Sequence, residues 1–362
     1  MSCFQFDGNI REIEGISVDS FQDNDFKRGS TFFLSHCHSD HMVNLIDGFT
    51  KHIPYQPDLE LHCTVMSSII LKNKFAHSEE ASYVLDQVLR PLREDEPTFI
   101  RFMWNRLPAA MKVTAIPAKH CVGSCMFLFR FVGKNVLYTG NFRLHEFELE
   151  GIDALHDEGD VLQLDKIYLD TTFLKLEKHT FPTRKWVLSF IFNEIDNHLE
   201  ETDGEGVIHI FRPSAFLGSE MIIRAVARKY KCKIHVEWNV YKQFRGMRNV
   251  IPYITYKSYA TNIHMCRLDR SGHNNCCNQP NVLKLHPSAL WYANSNSTNW
   301  VRRGRNNQTV HIAHSMHCSR KELEAFIGYF GPTQMTPLVV PEGFTMDEIQ
   351  EEVDNIQQEV LD

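Results

Sequence analysis

The stretch FFLSHCHSDHM, residues 32–42, places three histidines and one aspartate directly after an apolar run. In an extended chain, side chains two positions apart point to the same side, so His36 and His38 can bind one metal ion together. Asp40 and His41 follow directly and can bind a neighbouring ion. Zinc binds imidazole nitrogen and carboxylate oxygen, and a catalytic zinc keeps one position open for water. The stretch therefore predicts a catalytic metal centre, because ordinary surface histidines need no such spacing.

The overall composition is compatible with such a centre. A length of 362 residues favours two domains, or one domain that carries a large insert. The apolar runs are far shorter than the ~20 residues that cross a membrane, and the N-terminal residues lack the pattern of a secretory signal. The 10 cysteines are therefore expected to be reduced thiols, and the 19 histidines favour metal binding.

The formal net charge of −7 means that a nucleic-acid partner would need a local basic surface. Three clusters of Lys and Arg could provide one: Arg224, Arg228, Lys229, Lys231 and Lys233, then Lys242, Arg245 and Arg248, then Arg302, Arg303 and Arg305. An ordinary solvated surface explains each cluster equally well. Arg245 and the last cluster are kept as weak candidates for contact with DNA.

Two different patterns divide the chain. Before residue 171, short runs alternate apolar and polar residues, which predicts strands at 59–63, 111–120, 126–131, 135–140 and 166–170. The segment 182–199 then has the apolar spacing of a helix, with Pro182 and Thr183 as start signals. A predicted strand, helix and strand follow between residues 207 and 238, and this βαβ pattern indicates a separate α/β module.

The order of the remaining motifs resembles a known family. The isolated His120 and the segment TGNFR (139–143) each follow a predicted strand. Together with the segments LDTTF (169–173), VHIAHSMHCSRKELEAFI (310–327) and LVVPEGFTMDEI (338–349), they resemble the β-CASP branch of the metallo-β-lactamase proteins, which cuts nucleic acids.

The resemblance implies an α/β fold, namely a metallo-β-lactamase αββα sandwich with an inserted α/β β-CASP cap domain. Residues 1–160 and 310–362 would form the metallo-β-lactamase domain. Residues 165–308 would form the cap, which carries a structural zinc site in related DNA-cutting proteins.

The resemblance also implies which residues bind metal in the catalytic centre. His36, His38 and His120 would bind a first zinc ion, and Asp40 and His41 would provide part of a second site. The family has aspartate where this chain has Asn141, and that carboxylate joins the two sites. An amide has the same shape but no charge, and only its carbonyl oxygen can bind metal. We therefore expect one firmly bound ion and a second that is weak or depends on substrate.

Two further residues are implied to act on the phosphate. Asp170 corresponds to the family's motif acid, and His317 is the histidine that it would orient. His317 is preferred over His314 by its spacing to Glu322. RNA-cutting members carry another histidine where this chain has Val339, which favours DNA as the substrate. The expected reaction is phosphodiester hydrolysis that leaves a 5′-phosphate and a 3′-hydroxyl, with Asp40, Asp170 and His317 as catalytic residues and Mg or Mn as alternative activating ions.

The cap zinc would use His235, His264 and Cys266. His264 and Cys266 are two positions apart on a predicted strand and so face the same way. The fourth ligand is left open between Cys276 and Cys277, because the preceding loop is shorter than in the family. Two histidines and two cysteines form a closed tetrahedral zinc site, whereas the alternative is a set of ordinary thiols and core histidines.

The implied function is a zinc-dependent DNA endonuclease or 5′-exonuclease in double-strand-break or crosslink repair. It would act in the nucleus on single-stranded, overhang or hairpin DNA, as a monomer without membrane contact, and a repair kinase or ligase is an unproven partner. Asn141 supports a second hypothesis, a catalytically silent DNA-end-binding relative or an inactivated form. An RNA endonuclease of the same branch is a third and weaker one.

Overall fold

The computed structural model describes residues 3–4, 6–176, 180–212, 217–267, 281–296, 298–304 and 308–361. The chain forms two compact units, one of Met1–Glu177 with Met316–Asp362 and one of Lys178–Ser315. The strand Lys166–Leu169 lies in the first unit because it pairs with Lys134–Tyr138. The second unit thus begins after the predicted boundary at residue 165 and extends past residue 308.

The first unit contains two main sheets. The four-stranded sheet is parallel, in the order Ile16–Val18, Thr31–Phe33, Glu60–Thr64, Leu89–Leu92. The six-stranded sheet has the order Gln334–Pro337, Lys166–Leu169, Lys134–Tyr138, Cys125–Phe131, Leu107–Pro117, Thr98–Trp104. Its first three strands are parallel and the others antiparallel. Two small antiparallel pairs join Cys3–Phe4 with Val339–Val340 and His156–Asp157 with Asp160–Val161.

Alternating side chains of one strand, Cys125–Phe131, show how the layers pack. Phe127 and Phe129 point into the core between the two sheets. Met126 and Leu128 point the other way, into a core formed with the two C-terminal helices. Successive side chains of a strand face opposite sides, so one apolar strand serves both cores.

Helices cover the outer faces of both sheets. The first unit contains the α-helices Asp23–Arg28, Leu45–His52, Val65–Phe75, Glu79–Val88, Arg320–Phe330 and Met346–Leu361, and the 3₁₀ helices Ser39–Met42, Glu146–Glu148 and Asp153–Leu155. On the four-stranded sheet, the ring centroid of Phe32 lies 4.5 Å from that of Phe26 and 5.2 Å from that of Phe49. The described residues of the first unit therefore form an αββα sandwich, as predicted.

The second unit is built on a seven-stranded sheet. Its order is Ile254–Thr255, Ile234–His235, Ile263–His264, Val207–Ile210, Val282–Ser288, Thr309–Ala313, Val301–Arg303, and all neighbours are parallel except the last pair. The described helices are Arg184–Glu201, Glu220–Lys229, Trp238–Gln243 and Leu290–Ala293, with 3₁₀ helices at Ile251–Tyr253 and Ser258–Ala260. The predicted helix begins where Thr183 Oγ1 accepts a hydrogen bond from Trp186 N. No described helix of either unit is both long and apolar enough to cross a membrane.

Candidate metal centre

The predicted ligands follow the carboxyl ends of strands in both sheets of the first unit. His36 follows the strand Thr31–Phe33, and His120 follows Leu107–Pro117. A backbone hydrogen bond from Cys125 N to Ser35 O, at 3.0 Å, joins the loops of the two sheets at this edge. Loops held on rigid strands position side chains accurately, which suits a site assembled from distant segments.

His36, His38 and His120 converge in one pocket. The Nδ1 atom of His38 lies 3.2 Å from Nε2 of His36 and 3.1 Å from Nε2 of His120. A tetrahedral zinc ion with Zn–N bonds of about 2.05 Å separates its nitrogen ligands by about 3.3 Å. Both separations from His38 are therefore close to what one zinc ion requires, and the three residues form a group of possible metal ligands whose atoms lie within 4.8 Å of one another.

Hydrogen bonds fix which nitrogen of two of these rings carries the proton. The Ser35 hydroxyl donates to Asp19 Oδ2 at 2.6 Å, so it accepts at 2.9 Å from Nδ1 of His36. The backbone carbonyl of Met316 can only accept, so Nδ1 of His120 donates to it at 2.9 Å. Each Nε2 then presents its lone pair to the pocket, which is the form that binds metal.

Burial favours the same neutral form. His36 is fully buried and His120 is 2% exposed. Loss of solvation, together with the neighbouring histidines, holds the pKa of each imidazole well below its ordinary value. Protons therefore compete weakly with a metal ion for these nitrogens near neutral pH.

Asp19, which the sequence motifs did not identify, organises this centre. It is buried and follows the strand Ile16–Val18. Its carboxylate accepts hydrogen bonds from Ser35 N at 2.7 Å and Tyr138 Oη at 2.8 Å, besides the Ser35 hydroxyl. It also accepts from Nδ1 of His41 at 2.9 Å. In the sequence, only its position directly after a short strand could have marked Asp19 as part of the site.

The grouping of Asp19 with His36 and His41 could suggest a second metal site. We instead interpret Asp19 as an orienting carboxylate, because three hydrogen-bond donors other than His41 already occupy it. Burial lowers the pKa of His41, but the charge and hydrogen bond of Asp19, together with the charges of Asp40 and Asp170, outweigh burial and raise it. Since Nδ1 of His41 donates to Asp19, Nε2 is the nitrogen that could bind an ion.

Asn141 lies between His36 and His41. It is 7% exposed, and its Nδ2 is 3.4 Å from Nε2 of His36 and 3.3 Å from Nε2 of His41. Rotation of the amide by 180° exchanges Nδ2 with Oδ1 in this place. The asparagine thus occupies the point between the two predicted ion positions, but it offers no charge there.

Asp40 is the predicted ligand that the structure holds least firmly. It lies in the 3₁₀ helix Ser39–Met42, and its side chain is 62% exposed. One carboxylate oxygen is 3.7 Å from Nε2 of His41. Among the described residues it joins no compact group of possible ligands, so its role as a ligand stays a prediction.

Asp170 and His317 form a hydrogen-bonded pair. Nδ1 of His317 donates to Oδ2 of Asp170 at 2.7 Å, and Asp170 Oδ1 accepts from Thr172 N at 3.0 Å. Burial alone would raise the pKa of Asp170, but His317 and Thr172 lower it below its ordinary value. The His317 ring centroid lies 4.7 Å from that of His120. This contact and the bond to Asp170 favour His317 over His314.

A buried ion pair connects the loop after Asn141 to a C-terminal helix. Arg143 is fully buried, and its Nη2 donates to Glu322 Oε1 at 3.0 Å. Nδ1 of His145 lies 2.7 Å from the same oxygen. Burial would raise the pKa of Glu322, but His145 and Arg143 outweigh it and lower the pKa to about 2.

The predicted cap-zinc ligands are only partly described. Nδ1 of His235 and Nδ1 of His264 lie 3.0 Å apart, and Cys266 is buried. Burial and the neighbouring His235 lower the pKa of His264 to about 4. The pair is close enough to share an ion, but the described part of the chain shows no compact group that includes Cys266. The alternative fourth ligands, Cys276 and Cys277, lie outside the described residues.

The weak candidates for DNA contact belong to the second unit. Arg245 is exposed. The Arg302 guanidinium lies 5.4 Å from the ring centroid of Trp291, and Arg303 forms an ion pair with Glu194 at 2.6 Å. Arg305 lies outside the described residues.

Comparison with known proteins agrees with this geometry. Residues 248–343 match a family model described as DNA repair metallo-beta-lactamase. The chain is 30% identical to Protein artemis of Gallus gallus over 96% of its own length and 49% of that protein. These matches show that the chain is similar to DNA-repair metallo-β-lactamase proteins. Human Protein artemis is 28% identical over 96% of this chain and 51% of that protein.

Two further matches extend the comparison with this family. Human DNA cross-link repair 1A protein is 26% identical over 90% of this chain and 29% of that protein. The chain thus spans about half the length of the artemis proteins and less of the cross-link repair protein. A crystal structure of a protein of unknown function from Enterococcus faecalis V583 superposes with a TM-score of 0.53 at 14% identity, covering 85% of this chain and 74% of that one. That likeness supports the fold alone.

Proposed function

We propose that this chain is a metal-dependent DNA nuclease that hydrolyses phosphodiester bonds at single-stranded, overhang or hairpin DNA ends during repair of double-strand breaks or crosslinks. One observation carries the proposal: the pocket of His36, His38 and His120 lies beside the Asp170–His317 pair. A metal ion that stabilises charge and a group that handles protons are complementary aids to phosphodiester hydrolysis.

His36, His38 and His120 would hold a zinc ion. When bound, the metal would supply positive charge at the phosphate and activate a water molecule. Asp170 keeps the His317 ring in one orientation through the 2.7 Å bond to Nδ1. We propose that His317, protonated on both nitrogens, then donates the Nε2 proton to the leaving 3′ oxygen and keeps its Nδ1 proton on Asp170, while the proton of the attacking water passes to solvent. The products are a 3′-hydroxyl and a 5′-phosphate.

Asn141 makes one firmly held ion the expected state. A second ion would have His41 Nε2 and the exposed Asp40, but no carboxylate between the two positions. Substrate phosphate would then complete the second position, or the enzyme would use one ion, and Mg or Mn are possible activating ions there. The same amide supports a second candidate function, a DNA-end-binding protein that does not cut.

Cleavage of DNA by matched variants separates these two functions. The substrates are 5′-labelled single-stranded, overhang and hairpin DNA, with RNA of the same sequence in parallel. The wild-type protein is compared with Asn141→Asp, with His36→Ala and with His77→Ala, which removes an exposed histidine elsewhere. Bound metal is counted on the same samples by mass spectrometry.

The outcomes are distinct. The nuclease proposal expects cleavage of DNA by the wild type and by His77→Ala, and none by His36→Ala together with loss of metal. Cleavage by Asn141→Asp alone would make the chain a DNA-binding protein that one amide has inactivated. Preferential cleavage of RNA would contradict the choice of substrate, which rests on Val339 in place of a histidine.

Other features of the chain remain proposals of the same kind. A structural zinc in the second unit would use His235, His264 and Cys266, with Cys276 or Cys277 as the fourth ligand. The pair of Nδ1 atoms at 3.0 Å supports this site. A nuclear location follows from the proposed role in DNA repair. A monomer is expected, and contact with a repair kinase or ligase is a possible extension.

A further inference from the structure

An exposed cluster of aromatic rings lies on the second unit. The Trp238 surface, as we call it, consists of Trp238, Tyr241, Lys242 and Tyr256. The ring centroids of Trp238 and Tyr241 are 5.9 Å apart with planes at 14°, and Tyr256 lies 4.8 Å from Trp238 and 5.1 Å from Tyr241. Trp238 is 53% exposed and Tyr256 45% exposed. Three rings in mutual contact thus form an aromatic cluster, two of whose members are exposed to solvent.

Packing alone does not explain this exposure. A tryptophan that only anchored the helix Trp238–Gln243 would gain most by burying its ring, because stabilisation follows the apolar area removed from water. Val240, on the same helix, is buried and makes that anchor. Exposed rings gathered in one place usually mark an interaction site.

The segment that carries the rings has an excess of positive charge. Residues 238–267 contain no aspartate or glutamate, although the whole chain has 45 acidic and 38 basic residues. Five basic residues fall in this segment: Lys242, Arg245, Arg248, Lys257 and Arg267. Nζ of Lys242 lies 5.9 Å from the Trp238 ring centroid. The adjoining Glu237 is engaged, because its carboxylate accepts from Arg267 N at 2.6 Å.

Lys257 and Tyr259 add a further positive charge and a further exposed ring next to Tyr256. Lys257 is exposed, and Tyr259, in the 3₁₀ helix Ser258–Ala260, is 82% exposed. The aromatic rings alone would suffice to bind an apolar protein partner. The excess of positive charge beside them has no role in such a contact. Aromatic faces interleaved with lysines match a polyanion whose flat bases can stack.

We infer that the Trp238 surface binds single-stranded nucleic acid, with bases stacked on Trp238 and Tyr256 and phosphates near Lys242 and Lys257. Such binding tolerates any sequence, because every base offers a flat face. The choice of DNA rather than RNA rests on the proposed function. The surface would then hold the single strand of a DNA end, which deepens that function without requiring cleavage.

The test measures binding in the intact chain without cleavage. The probe is a fluorescein-labelled 15-nucleotide oligothymidine, followed by fluorescence anisotropy, with oligouridine and a blunt duplex as further probes. All variants carry His317→Ala so that the probe stays intact. The test variants are Trp238→Ala, Trp238→Phe, Tyr256→Ala and Lys242→Glu, and the matched controls are the exposed residues in Tyr83→Ala and Lys185→Glu.

The expected result is a selective loss of single-strand binding. Loss of one stacking ring should weaken binding of the oligonucleotide at least about fivefold, and Trp238→Phe should retain most of it. Lys242→Glu should weaken binding and reduce its dependence on salt. The controls should bind as the parent does. If oligothymidine and oligouridine bind with similar affinity, the inference that the surface binds single strands stands. Only the preference for DNA over RNA is then lost.

Other results would overturn the inference. Unchanged affinity in Lys242→Glu, Trp238→Ala and Tyr256→Ala, with the melting temperature unchanged, would show that the surface does not bind the strand. Sedimentation that changes from dimer to monomer in Trp238→Ala, with unchanged affinity, would make it a contact between copies of the chain. If the wild type cuts DNA but these variants bind normally, the nuclease proposal stands and this inference fails. If the wild type never cuts but the variants lose binding, this inference stands and the nuclease proposal fails.

Discussion

Replacing Glu322 by glutamine should destabilise the helix Arg320–Phe330 measurably. Glu322 is paired with the fully buried Arg143 and has its pKa lowered from an ordinary value of 4.5 to about 2. A carboxyl with that shift stabilises the folded state by about 3 kcal/mol at neutral pH. Glutamine keeps the shape but removes the charge, so Arg143 would stay buried without that carboxylate, which by itself costs about 3 kcal/mol or more.

The dependence on pH has a definite sign. Because the pKa of Glu322 is lower in the folded state than the ordinary 4.5, the stabilisation is complete above that pH and is lost as the pH falls toward 2. The wild type and Glu322→Gln should therefore differ most at pH 6 to 7, on the order of 3 kcal/mol. Their difference should narrow progressively in acid.

Hydrogen exchange followed by mass spectrometry is a suitable assay. Of the 5 tryptophans, only Trp104 lies in the first unit, so intrinsic fluorescence would report mainly on the second. Peptides that cover Arg320–Phe330 should exchange roughly a hundredfold faster in Glu322→Gln at pH 7. The matched control is Glu324→Gln on the same helix, whose 2.8 Å pair with Arg320 is partly exposed and worth less than about 1 kcal/mol. Equal effects of the two substitutions would refute the role assigned to the buried pair.

Four further substitutions test the metal centre. Asp170→Asn and His317→Ala should each lower DNA cleavage by about 10²-fold or more while the amount of bound metal stays the same. The reason is that the pair transfers protons and does not bind the ion. Loss of metal in either variant would contradict this. Asp19→Asn should weaken metal binding by about 10- to 100-fold, measured by competition with a chromogenic chelator, because it weakens the orientation of the histidines. Gly140→Ala should also reduce bound metal, since Gly140 has φ +51° and a Cβ there would lie 2.8 Å from Ser35; a full complement of metal would show that Ser35 can move without cost.

The sequence was most informative where one motif carried both structure and chemistry. His36 and His38 could be chosen because they lie two positions apart directly after an apolar run, and His120 because it ends a run with clear alternation. The start of the helix Arg184–Glu201 was also predictable, because Thr183 caps it directly. In these cases neighbouring residues decide the local conformation, so spacing along the chain is enough.

The parts that the sequence did not reveal depend on contacts between distant segments. Asp19 is one aspartate after a three-residue strand and belongs to no motif; only packing shows that it holds Ser35 and His41. Arg143 and Glu322 are 179 positions apart. Asp40 looks equivalent to its neighbours in the sequence, but the 3₁₀ helix Ser39–Met42 turns its side chain outward. No spacing rule covers such relations.

The late position of Met316 and His317 has a consequence for synthesis of the protein. They are the first two residues of the segment that returns to the first unit, and they provide the carbonyl that orients His120 and the ring that bonds to Asp170. A nascent chain that ends at residue 315 already contains all the predicted ligands of the catalytic metal but neither of these partners. Domains generally fold as they leave the ribosome. Metal capture can therefore precede completion of the site, and the proposed cleavage of DNA would be withheld until the entire second unit has been made.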